Sequence, residues 1–147
     1  MTPTPNLTQA VPFLWVRDLT ASLRCYVDGL GFAMTKQWAP DGQPRWCWLE
    51  RDGVALMLQA FWREGANANL PAGPLGQGVS VCLMCRDALA LYREFTACGV
   101  AARRPVVGNG MWVTELHDPD GYHLVFESPT DAPEGSVYAG QGRRAAT

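Results

Sequence analysis

Apolar and polar residues alternate along residues 11–17 (VPFLWVR); then the period changes, with Leu23, Tyr26, Val27 and Leu30 at i, i+3, i+4 and i+7. The first pattern predicts a strand and the second an amphipathic helix. Asp18 stands between them, where a side-chain oxygen caps a helix, and Gly29 or Gly31 closes it. Strands follow at residues 32–38, 45–50 and 54–59, separated by Asp41-Gly42 and Asp52-Gly53, dipeptides suited to tight turns. A Gly/Pro/Asn-rich connector intervenes and the order then returns. Residues 78–85 predict a strand, Asp87 a cap, and Ala88, Leu91, Tyr92 and Phe95 a helix stripe closed by Gly99. A short strand at 100–104 and a hairpin of 111–116 with 123–128 complete the second half. Asp118-Pro119-Asp120-Gly121 turns that hairpin, with Pro119 pre-setting φ and Gly121 supplying a left-handed residue for a three-residue loop. Beyond the turn Leu124 and Phe126 share one face, and His123, Val125 and Glu127 the other.

Both halves thus read strand, helix, strand, strand, strand, and their caps, Asp18 and Asp87, lie 69 residues apart. The prediction is an α+β fold of two βαβββ modules. They form a curved mixed sheet with helices on the outer face and a ligand cavity on the concave one. The boundaries are a lead-in over 1–10, one domain over 11–128 and a mobile tail over 129–147. Within the domain, module one is 11–62, the connector 63–77 and module two 78–128.

Composition narrows the partners. A chain of 147 residues supports one domain, and a net charge of −2 with mixed signs offers no footprint for nucleic acid or an anionic membrane. No apolar run approaches the length of a transmembrane helix. The opening MTPTPNLTQ lacks the basic start and apolar core of an export signal, so the five cysteines predict reduced thiols in a cytoplasm. Cys82 and Cys85 make a CxxC, but on a strand residues three apart face opposite ways, which disfavours a redox or metal pair.

The duplicated βαβββ pattern, an acidic helix cap after the first strand, LGF after the first helix and DPDGY before the last strand together resemble the vicinal oxygen chelate superfamily. That group contains glyoxalase I, extradiol dioxygenases, and fosfomycin- and bleomycin-resistance proteins, and the resemblance covers residues 11–128. It implies a divalent metal held by His or Glu on the first, fourth, fifth and eighth strands. The first-strand position, seven residues before the cap, is Val11 here, and the same spacing before Asp87 gives Ser80. The last-strand position, seven residues after Asp118, is Val125, and the fourth-strand position falls on Met57. None is an imidazole or a carboxylate, so no metal ligand is assigned and no cofactor is expected; a divalent metal is the alternative. His123 and Glu127 share a face but stand about 13 Å apart along a strand, too far to chelate one ion.

Taking those positions as the inward parity, the concave face collects Phe13 and Trp15, then Met57 and Gln59, and from the strand between them either Trp46 and Trp48 or their neighbours. From the second half it collects Ser80, Cys82, Met84, His123, Val125 and Glu127, with Trp112 near its rim. This lining is rich in aromatic rings and sulfur, with a few polar groups to orient a ligand. About half of the six tryptophans are expected to be structural, and Glu115 to be solvated. The resemblance favours the bleomycin-resistance branch: a metal-independent homodimer sequestering an aromatic or cationic natural product in a Trp-lined cavity. The alternative is a glyoxalase-like lyase or isomerase. In it His123 or Glu127 acts as general base, and Gln59 or Ser80 holds an oxyanion.

Overall fold

The computed structural model describes residues 1–140. Its elements, in chain order, begin with β1 (Phe13–Val16) and α1 (Leu19–Leu23), which runs on as a π-helical segment over Arg24–Gly29. Then come β2 (Ala33–Trp38), β3 (Trp46–Arg51), β4 (Val54–Ala60) and β5 (Ser80–Met84). They are followed by α2 (Ala88–Ala97), β6 (Val106–Gly108), β7 (Met111–His117) and β8 (His123–Pro129). The strands form two four-stranded mixed sheets, β1-β4-β3-β2 and β5-β8-β7-β6. In each, the strand before the helix pairs parallel with the last strand of its half.

Local chemistry accounts for most of these elements. The Asp18 carboxylate accepts from Ala21 N–H and that of Asp87 from Ala90 N–H, so the two halves start their helices with the same device. Asp52 and Gly53 both have positive φ, 51° and 79°, as a two-residue hairpin turn of this hand requires. At the last hairpin Gly121 N–H donates to Asp118 C=O and Asp118 N–H to Tyr122 C=O, closing the three-residue loop.

One continuous core joins the halves. Leu14, Val16, Leu56 and Leu58 of the first sheet meet Leu116, Leu124 and Phe126 of the second, with Tyr26 and Leu30 beside α1 and Phe95 on α2. Phe95 and Phe126 pack edge to face, with ring centroids 5.0 Å apart. Polar groups reinforce the joint. Buried Asp118 accepts from the Tyr26 hydroxyl at 2.9 Å and from the backbone N–H groups of Asp120 and Tyr122. Tyr122 in turn donates to Trp15 C=O at 2.7 Å, and Asp120 accepts from Arg17 N–H. On another side Arg51 makes a two-pronged pair with Glu94 at 2.6 and 2.8 Å and donates to Leu30 C=O.

Two expectations need correction. The strand expected at 100–104 lies at Val106–Gly108 instead. Residues 100–105 meet the β7 backbone through the bond from Arg103 N–H to Glu115 C=O, and Pro105, lacking an N–H, interrupts any ladder before Val106. The expected mobile tail is also tied down as far as Gly140. Val137 bridges Val106, Tyr138 N–H donates to Pro105 C=O, and Tyr138 packs edge-on against Tyr92 and Trp112. The rest of that tail, 141–147, lies outside the described residues.

Candidate functional site

Strand pairing sets the expected site residues in rungs. Across the first sheet Phe13 pairs with Met57 and Met57 with Trp48; two residues on, Trp15 pairs with Gln59 and Gln59 with Trp46. Lys36 and Trp38 on β2 extend these rungs. Phe13 and Trp15 lie 5.7 Å apart, Trp15 and Phe61 5.6 Å, and Trp38 and Trp62 6.3 Å between ring centroids. Cations cover part of the floor, with Lys36 Nζ 5.3 Å from the Trp48 ring and the Arg45 guanidinium 3.7 Å from Trp62. Gln59 is buried, Trp15, Trp46, Trp48 and Met57 are half-buried, and Phe13 is 44% exposed.

The second sheet places its residues in corresponding rungs. Ser80 pairs with His123 and His123 with His117; Cys82 pairs with Val125 and Val125 with Glu115; Met84 pairs with Glu127 and Glu127 with Val113. Phe13 and Cys82 each stand five residues before a cap, and their partners are Met57 and Val125. The internal repeat therefore equates Met57 with Val125, two positions that the sequence comparison reached separately.

This second face is polar. Ser80 Oγ lies 2.7 Å from His123 Nδ1, His123 Nε2 lies 2.9 Å from Glu115 Oε2, and Arg103 donates to Glu115 Oε1 at 2.8 Å. His117 stacks on His123 with centroids 5.0 Å apart. Burial works to raise the Glu115 carboxyl, but hydrogen bonds and charge from Arg103 and His123 outweigh it and hold it below its ordinary range. Glu115 was expected to be solvated; it is instead clamped between two cationic or hydrogen-bonding partners. Burial, followed by the charge of Glu127, pushes the Cys82 thiol upward. Cys85 faces the other way and packs against the core.

Trp112 does not join this set. It pairs with Ser128 and Val107, so it shares the face of Thr114 and Leu116, which are buried on the α2 side, where Thr114 Oγ1 donates to Ala88 C=O. Its ring meets Tyr138 instead. Nor do the tryptophans line either of two clefts among the described residues. A cleft of about 670 Å³ runs between the β3–β4 turn and α2, lined by Arg51, Val54, Leu91, Glu94 and Phe126 among others, and it takes in only Met84 of the expected residues. A second, of about 450 Å³, lies between the 74–80 segment and the β7–β8 turn and includes Ser80, His117 and His123. The aromatic floor is an open face because each sheet commits its opposite face to the shared core.

The four family metal positions present two isopropyl groups, a thioether and a hydroxyl, a donor set that does not fit a divalent ion. Among the described residues no three His, Cys, Asp or Glu side chains converge as a metal site. Nor is any helix of the described residues long and apolar enough to cross a membrane.

Two βαβββ halves sharing a core, with paired ladders of matching register, define the paired-module class. The family model of the Glyoxalase/Bleomycin resistance protein/Dioxygenase superfamily matches residues 7–126, and the chain belongs to that superfamily. Among solved structures it resembles a bleomycin-binding protein complexed with bleomycin, at 26% identity and a TM-score of 0.64, the match covering 83% of this chain and 98% of that one. It also resembles a bleomycin resistance determinant encoded on the transposon Tn5, at 25% identity and TM-score 0.65, over 86% of this chain and 100% of that one. The bleomycin-binding protein of Streptomyces verticillus, complexed with copper(II)-bleomycin, shares the fold at 19% identity and TM-score 0.63, over 85% and 98%. No curated protein matches the sequence.

Proposed function

We propose that this protein binds a flat aromatic or cationic natural product of the bleomycin type, without a metal of its own. The ligand lies on the floor formed by Phe13, Trp15, Trp46, Trp48 and Met57. What carries this reading is the continuity of that floor: two adjacent rungs of aromatic and thioether side chains, half-buried or exposed, in a chain whose neighbours include bleomycin-binding proteins. Rings stack on such a surface through dispersion and their quadrupoles, and Gln59 at the rung between Trp15 and Trp46 gives one polar anchor. Glu127 supplies an acidic partner for a cation. Because the floor is open, the groove is completed by a second copy, whose Val125 and Glu127 face stands across from it in a homodimer.

Titrating tryptophan emission with bleomycin tests this. The wild type should show saturable quenching. A folded Trp15→Ala variant should bind at least about tenfold more weakly, equivalent to ~1.4 kcal/mol. Equal affinity in the variant, or no quenching in the wild type, refutes the reading. Sedimentation equilibrium at the same concentrations checks the dimer.

A further inference from the structure

The polar face of the second sheet holds an arrangement that ligand binding does not require. We propose that Ser80, His123 and Glu115 form a nucleophilic relay that cleaves a carboxylic ester or a similarly activated acyl compound. This goes beyond the binding reading and does not rest on it.

The roles follow from donor chemistry. An ionised carboxylate only accepts, so Glu115 Oε2, 2.9 Å from Nε2, fixes the His123 proton on that nitrogen. The neutral ring then has its lone pair on Nδ1, 2.7 Å from Ser80 Oγ, and accepts the serine proton. Arg103, on the far oxygen of Glu115, keeps the carboxylate charged and aimed. Three separate elements supply the trio: Ser80 opens β5, Glu115 lies within β7, and His123 opens β8. Neighbouring rungs hold them in place, and stacking on His117 limits rotation of the His123 ring. Ser80 is exposed and borders the cavity of about 450 Å³, so a small acyl group has access. Gln77 and Gly78 border the same cavity, and their backbone N–H groups donate to no acceptor among the described residues.

In the reaction Ser80 Oγ forms a bond to the acyl carbon as its proton passes to His123 Nδ1. Collapse of the tetrahedral adduct breaks the bond to the leaving alkoxide, which takes that proton. Water then attacks the acyl-serine and gives a proton to His123. The acyl–Oγ bond breaks, and the proton returns to Ser80 while the acid departs.

Phenylmethanesulfonyl fluoride reports the first half directly: a sulfonyl–oxygen bond forms at Ser80, fluoride leaves and His123 takes the proton. Intact mass and peptide mapping should show one sulfonyl group per chain, on Ser80. Ser80→Ala, an exposed position, should remain folded and unlabelled. His123→Gln should slow labelling by about 100-fold or more, the usual worth of a positioned base. Glu115→Gln should lower the limiting rate while leaving the half-saturating reagent concentration unchanged, marking Glu115 as a positioning residue. No label on wild-type Ser80, or the same rate in folded His123→Gln, overturns the proposal. Neither result bears on bleomycin titrations of the same samples, so the two readings fail separately.

Discussion

Replacing Tyr26 with Phe removes one oxygen from a buried junction between the two modules. The Tyr26 hydroxyl is the side-chain donor among three groups that hold the Asp118 carboxylate, the others being the Asp120 and Tyr122 amides. Tyr26 is fully buried and Asp118 is 5% exposed, so water does not take over the lost bond. A hydrogen bond to a charged group contributes about 1.5–3 kcal/mol. With two donors remaining, the expected cost is about 2 kcal/mol, and no cavity of note is left. For a chain of this size that corresponds to a fall in Tm of about 4–8 °C.

The penalty should also depend on pH. Burial lifts the Asp118 carboxyl above its ordinary range, and the Tyr122 amide, the Tyr26 hydroxyl and the Asp120 amide draw it partly back. A carboxyl whose folded value is raised favours the fold most when protonated, and that contribution is lost as pH rises through the folded value. Removing a donor to the charged form raises the value further. Tyr26→Phe therefore bears its full cost where Asp118 is ionised, and the cost shrinks as pH falls through the raised folded value. Urea unfolding on either side of that transition measures it. In an Asp118→Asn background the penalty should drop to about 1 kcal/mol, the worth of an uncharged hydrogen bond. An unchanged Tm, or an equal penalty at both pH values and in both backgrounds, would refute the assignment of this junction to a charge-assisted bond.

Gly76→Ala should destabilise by about 1–2 kcal/mol from its left-handed backbone alone. Its φ is +73° and a Cβ there would stand 2.7 Å from the Tyr122 ring, so thermal denaturation should show a loss while Gly42→Ala, with open space around it, loses less. Arg51→Ala should cost about 1 kcal/mol in low salt and less in high salt, as expected for a two-pronged but partly solvated pair; urea midpoints at two ionic strengths check this. Burial raises the thiols of Cys25 and Cys47 to about 11. A disulfide reagent at mildly alkaline pH should therefore modify exposed Cys98 in the native protein, and reach Cys25 and Cys47 only after unfolding.

Periodicity made the modules legible because it reports which face of an element is buried, and both helix caps and the DPDG loop are local chemistry. The strand at Val106–Gly108 was misplaced because 100–104 has strand-like composition, and only tertiary pairing decides which short run joins a ladder. The position of Trp112 was within reach. With His117 opposite His123, the hairpin necessarily sets Glu115 against Val125 and Trp112 against Ser128. That register puts Glu115 on the face of His123 and Trp112 on the other, a step that alternation within single strands does not supply. The contact of Ser80 with His123 was harder, since it depends on the parallel register of β5 and β8, which lie 43 residues apart and share no turn. The open floor was not legible either, because packing of the halves against each other is a property of neither pattern alone.

Trp112 and the docked segment over residues 130–140 give the protein two optical populations. A compound settling over Trp15, Trp46 and Trp48 contacts chromophores on one side of the molecule. Trp112, edge-on to Tyr138 at 6.2 Å, stays beyond its reach on the other. Saturation should thus leave a constant residual emission that serves as an internal standard within every titration. That same residual signal should shift to longer wavelength when the segment after Pro129 is removed, so one chain reports occupancy in one channel and the seating of its C-terminal clasp in the other.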